Sequence, residues 1–113
     1  MNNIIEVFNS NEFGSVRTVN LNNTIHFVGK DIAVALGYSN PQKAVRDHID
    51  EEDRTVNNSF TINGTPAVLI NESGLYSLVL SSKLESAKRF KRWITADVLP
   101  ALRRTGSYSM NIP

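Results

Sequence analysis

Apolar residues along the chain follow a period near two in some stretches and near three and a half in others, and the switches between these periods mark out its elements. Ile4 to Phe8, Val16 to Asn20 and Thr24 to Val28 are short, β-rich and separated by Asn, Ser and Gly clusters, which predicts three strands. Leu21-Asn22-Asn23 predicts a tight hairpin connection, because Asn tolerates left-handed backbone at little cost. From Gly29 the period becomes helical: Ile32, Ala33, Ala35 and Leu36 share a face, Asp31 sits in the first turn where the dipole favours an anion, and Gly37 is placed to end the helix.

Asn40-Pro41 then gives a cap followed by proline at the first helical position, where its missing N–H is no loss. This second helix, with Ala44, Val45 and Ile49 as its apolar positions, should stop near His48 or Ile49, since the acids Asp50 to Asp53 oppose its dipole. Arg54 to Ile62 and Pro66 to Ile70 read as a hairpin closed by Asn63-Gly64, with Pro66 required at a strand start or edge. Asn71 begins a helix with Glu72 in its first turn and Leu75, Leu78 and Val79 as its buried stripe, weakened slightly by Gly74. Glu85 to Leu99 is the longest predicted helix, with Ala87, Phe90, Ile94 and Val98 on one side and Lys88, Arg89 and Arg92 roughly opposite. Pro100 should kink or restart it, and Thr105-Gly106 should end it. Strands and helices are mixed without strict alternation. The expected fold class is therefore α+β: a small antiparallel sheet or hairpins with about four helices, including a helix-turn-helix-like pair.

The 113 residues fit one domain, and 41% hydrophobic content is enough for it to fold alone. The absence of cysteine excludes disulfides, thiolate metal sites and cysteine nucleophiles, and suits a reducing compartment. The longest apolar run, Ile32 to Leu36, is far short of the ~20 residues of a spanning helix. Met1 to Ile5 lacks the basic-then-apolar pattern of a secretory signal, so cytoplasm is the expected compartment. The formal charge of +1 points to no partner. Its distribution is more informative, because residues 1–82 carry five basic groups against nine acidic ones, whereas residues 83–104 carry seven against two. Such a basic segment is either a polyanion-binding footprint or a solvated helix face.

Chemistry beyond binding finds no support in the spacing. His26 and His48 have no neighbouring residues that spell a triad or a metal set, so neither a metal site nor an enzyme is expected. Asp50-Glu51-Glu52-Asp53 lacks the alternating ligands and glycine of a calcium loop and reads as a solvated turn, and Gly29-Lys30-Asp31 is not a phosphate loop. No cofactor is expected. Phe90, Trp93 and Tyr76 could stack on bases, but their helical spacing among aliphatics makes them core. The most specific feature is the run from Asp31 to Tyr38 followed by Asn40 to Arg46: two short helices, small Ala33 on the first and Gly37 four positions later, as a helix-turn-helix requires. The apolar residue expected six positions after the glycine is Lys43, so either the turn is longer or the pair is an ordinary structural corner.

These segments resemble the N-terminal domain of the Bro family of phage and prophage antirepressors and large DNA viruses. The resemblance rests on Phe27-Val28-Gly29-Lys30-Asp31-Ile32-Ala33, Leu36-Gly37-Tyr38, Asn40-Pro41, Ala44-Val45-Arg46-Asp47-His48-Ile49, Asp50-Glu51-Glu52-Asp53, Ile70-Asn71-Glu72-Ser73-Gly74-Leu75-Tyr76, Phe90-Lys91-Arg92-Trp93 and Val98-Leu99-Pro100. It implies a DNA-binding module that in antirepressors commonly precedes a separate C-terminal domain. On that basis residues 1–106 form the domain, and residues 107–113 a flexible tail that would link to an absent C-terminal domain. The resemblance puts Lys30, Asn40, Lys43, Arg46, Lys91 and Arg92 at motif positions, and the facing of the helices adds Gln42, Lys88 and Arg89 as DNA-binding candidates. The expected partner is double-stranded DNA; the alternative is a phage repressor protein bound without DNA reading. With no heptad seam or large unexplained apolar face, the chain should be a monomer or weak dimer.

Overall fold

The computed structural model describes residues 5–104 apart from residue 63. Strands β1 (Ile5–Ser10), β2 (Gly14–Leu21), β3 (Thr24–Val28), β4 (Arg54–Ile62) and β5 (Thr65–Ile70) form one antiparallel sheet in the order β1-β2-β3-β5-β4. Ile4 and residues 105–113, and with them the expected tail, lie outside the described residues. Asn22 and Asn23 carry φ of 52° and 65°, so the β2–β3 connection is the two-residue left-handed turn expected of paired asparagines. Asn63 also lies outside the described residues, but β4 and β5 pair up to Ile62↔Thr65, so the hairpin is present.

Helices α1 (Gly29–Ala35), α2 (Pro41–His48) and α3 (Glu72–Ser81) join with the C-terminal helix to cover one face of the sheet. Phe27 and Ile70 point into this helical core, where Ile32, Leu36, Leu75, Leu78, Phe90 and Ile94 are fully or almost fully buried. Their neighbours Val28 and Leu69 point the other way, as strand alternation requires, and form a second, smaller cluster with Val19, Ala67 and Phe60. The fold is α+β, as the sequence predicts.

Two expectations need correction. The C-terminal helix does not run as a regular α-helix over 85–99: α4 spans Ala87–Trp93, Ile94–Val98 is π-helical, and α5 spans Leu99–Arg104. The helix restarts at Pro100 as expected, since α5 begins at Leu99 with Pro100 in its first turn. The adjustment comes one turn earlier, where the Leu99 N–H bonds back to the Ile94 carbonyl, a widened turn that accommodates the donor proline lacks. The apolar face survives, with Ala87, Phe90, Ile94, Val98 and Leu102 all buried. Gly74 carries a packing role besides its cost in helix propensity: a Cβ there would lie 3.0 Å from Ile49 Cγ2, 3.2 Å from Ile70 Cβ and 3.4 Å from the Asp53 carbonyl oxygen. Second, the acidic run is not merely a solvated turn. Asp53 closes a short 3-10 turn (Glu51–Asp53) and accepts hydrogen bonds from Asn71 Nδ2 (3.0 Å) and Ser73 Oγ (3.2 Å), while Asn71 Oδ1 caps α3 through the Gly74 N–H at 2.8 Å. A carboxylate at a helix N-terminus is favoured by the dipole, so Asp53 clamps α3 to the start of β4.

Candidate nucleic-acid interface

The helix α2 owes its start to Asn40, whose Oδ1 accepts the Lys43 N–H at 3.2 Å, and to Pro41 behind it. Asn40 is thus used in capping. The α1–α2 connection, residues 36–40, is longer than the turn of about 3–4 residues in a strict helix-turn-helix, which accounts for the displaced apolar position at Lys43. Lys43 pairs with Asp47 one turn on, and this contact holds the Asp47 carboxyl below its ordinary pKa. On the adjoining face Gln42 and Arg46 are exposed, one turn apart, and line a cleft of about 490 Å³ together with Lys30 from α1 and Arg54 from β4.

The cleft exists because β3 is short. It pairs with β5 only through Phe27↔Ile70 and Val28↔Leu69, after which Gly29 turns the chain into α1. The rest of β5 has β4 on one side and faces α1 and α2 across the cleft on the other. Pro66 falls in this one-sided stretch, as its missing N–H demands. Gly29 sets the width of the junction: a Cβ would lie 3.1 Å from Val45 Cγ2 and 3.4 Å from the Val68 carbonyl oxygen. Apolar side chains, among them Val28, Val45, Ile62 and Ala67, line the cleft between its cations, and no Asp or Glu is among the lining residues. Arg54 Nε is buried without a hydrogen-bond partner among the described residues. Leaving a buried donor unsatisfied costs about 1–3 kcal/mol, so its place in the cleft wall calls for a reason.

The remaining candidates lie elsewhere. Lys88, Arg89, Lys91 and Arg92 are all exposed on α4, opposite the buried Phe90 and Ile94 as expected. Phe13, from the β1–β2 turn, packs edge-on against Phe90 with ring centroids 5.1 Å apart and stacks on Trp93 at 6.1 Å, so these aromatics are core rather than a base-stacking platform. Beside them Arg89 is held in a fork by Glu12, at 2.5 Å for its shortest contact, which raises the guanidinium pKa and lowers that of the carboxyl. Lys91 Nζ lies 5.7 Å above the Tyr76 ring. Lys88 and Arg92 have no carboxylate partner among the described residues. The structure thus gathers Lys30, Gln42 and Arg46 in one place and Lys88, Arg89, Lys91 and Arg92 in another.

Sequence reasoning missed two arginines. Arg54 opens a strand after four acids, and nothing in its sequence neighbourhood marks it as a cleft residue. Arg17 is withdrawn from the cationic surface: Asp31 Oδ2 accepts its backbone N–H (3.0 Å) and Nε–H (2.8 Å), and Oδ1 accepts from Nη2 (2.8 Å). Asp31 therefore does more than offset a helix dipole. It ties α1 to β2, and its bonds raise the Arg17 pKa.

These features define an α+β domain with a cationic cleft beside a short capped helix and a second basic face on its C-terminal helix. The chain belongs to the BRO family, its N-terminal domain being matched over residues 15–100. It is 35% identical over 106 residues to a Bro-N domain-containing protein of Invertebrate iridescent virus 6, an alignment covering 77% of this chain and 25% of that protein. An uncharacterized protein of Haemophilus influenzae is 35% identical over 85 residues, 74% of this chain and 42% of its own length. A Bro-N domain-containing protein of Autographa californica nuclear polyhedrosis virus is 31% identical over 101 residues, 74% of this chain and 31% of its own length. The chain thus spans between a quarter and less than half of these relatives. No solved structure matches it. Among the described residues no helix is long and apolar enough to cross a membrane.

Proposed function

We propose that this domain binds double-stranded DNA as the N-terminal module of an antirepressor-type transcription regulator. The observation that carries the reading is the pairing of Gln42 and Arg46 on the exposed face of α2, at the rim of a cleft whose only charged residues are cations. Gln and Arg suit bidentate contacts to adenine and guanine edges, and the cleft cations suit the flanking phosphates. The exposed face of α4 adds sequence-independent phosphate contacts through Lys88 and Arg92. The domain acts as a monomer or weak dimer, which light scattering at micromolar concentration checks.

A mobility-shift titration on random duplex at a low and a moderate salt concentration tests this. The expected result is binding at low salt that weakens steeply as salt rises, because phosphate contacts release counterions. No detectable duplex binding at low salt removes the DNA reading and leaves the repressor-binding alternative.

A further inference from the structure

We propose that the cleft between α2 and β5 is a phosphate-binding site anchored by Arg54, with Lys30 reaching the same group from α1 while Arg46 stays with Gln42 at the base-reading rim. This deepens the DNA reading, on which it rests for the identity of the molecule that carries the phosphate. Elsewhere on the molecule Arg17, Lys43 and Arg89 are each bonded to a carboxylate, whereas three cations share a cleft that no carboxylate lines. Arg54 is fixed there by the pairing of its backbone with Ile70, and its Nε donor is buried without an acceptor among the described residues. A tetrahedral oxyanion offers enough oxygens to take donors from Arg54 and Lys30, both of which line the cleft, at once.

The alternative occupant is an acidic peptide adding a strand to the open edge of β5. The edge is poorly made for it: Pro66 has no N–H to give, and the Val68 carbonyl is backed by Gly29, whose Cβ position lies 3.4 Å away. A phosphate needs no such ladder. The apolar lining, with Val45 and Ile62, gives the attached sugar a surface to rest on, and Gln42 stands at the rim within the same wall.

The test follows the side-chain proton–nitrogen signal of Arg54 in the 113-residue chain while inorganic phosphate, then duplex DNA, is added. Both should shift it saturably, and Arg54→Gln should weaken duplex binding roughly ten- to a hundredfold, the loss of one hydrogen bond between charged partners. If phosphate moves the signal but duplex does not bind, the site stands with a free phosphate compound as its ligand and the DNA reading falls. If duplex binds the native chain and Arg54→Gln equally well and the signal stays still, the DNA reading stands and this inference falls. An acidic peptide that moves the signal where phosphate does not also overturns it. Should Arg54→Gln fail to fold, the signal in the native chain decides alone.

Discussion

The cleft beside α2 and the basic face of α4 each gather cations, yet they are built on opposite physical terms. The α4 face is exposed, one of its arginines is spent on Glu12, and Lys91 lies over Tyr76. Charges placed this way are screened within about a Debye length of 10 Å at ordinary salt. The cleft is concave, partly walled by apolar side chains and free of acids, so its field is focused and less screened. A segment rich in lysine and arginine is therefore a poor guide to where an anion is held most specifically. Geometry and the partners already taken decide it.

The two regions also stand on different foundations, and removing each foundation gives the largest effects. Phe90 is fully buried beneath α4, and Phe90→Ala should cost about 3–5 kcal/mol in denaturant unfolding. Gly74 lies under Ile49, which follows α2, and under Ile70, which pairs with Arg54. Gly74→Ala gains about 1 kcal/mol of helix propensity but incurs overpacking of about 1–3 kcal/mol. Because one of the close atoms is backbone and the others belong to buried side chains, the net effect should be destabilising; a raised unfolding midpoint would show that the junction has slack.

Base reading and phosphate contact should separate between the regions. Gln42→Ala and Arg46→Ala should each lose about 1–3 kcal/mol at particular base positions only, measured by competition among selected duplexes. Unchanged preference in a folded variant would make α2 a structural corner. Lys88→Ala with Arg92→Ala should instead weaken all duplexes alike and flatten the log–log salt dependence by roughly 0.9 per lost contact, measured by titration at several salt concentrations.

The smallest effect concerns the ion pair that takes Arg89 out of play. Arg89 holds the Glu12 carboxyl below its ordinary pKa, so the pair contributes to stability above the ordinary carboxylate pKa and loses that contribution as pH falls through the lowered one. Both side chains are exposed, so Glu12→Gln should leave the unfolding midpoint nearly unchanged in salt. The same substitution frees Arg89 and should slightly strengthen non-specific duplex binding, measured in the same mobility shift. A weakened complex would mean that the Glu12 fork positions Arg89 rather than silencing it.

Much of the fold was legible because its signals are local. Paired asparagines set the β2–β3 turn, Asn40-Pro41 and Asn71 set two helix starts, and the three-four spacing of Phe90, Ile94 and Val98 set a buried face. The candidate site was half legible, since helical spacing alone put Gln42 and Arg46 together. What was not legible depends on partners far along the chain: Arg17 on Asp31, Arg89 on Glu12, Asp53 on Asn71, and Gly74 against Ile49 and Ile70.

The sequence by itself determined most of the elements and their apolar faces, because capping, turn chemistry and periodicity act over a few residues, and its motifs carried the family resemblance. It also located the strongest cationic run, residues 83–104. Only the tertiary structure decided where cations meet without acids. Lys30, Arg46 and Arg54 come from the part of the chain that is net acidic, and they converge because β3 stops at Val28 and leaves β5 open beside α2. That convergence is set by strand length and helix placement, quantities that charge counted along a sequence does not contain.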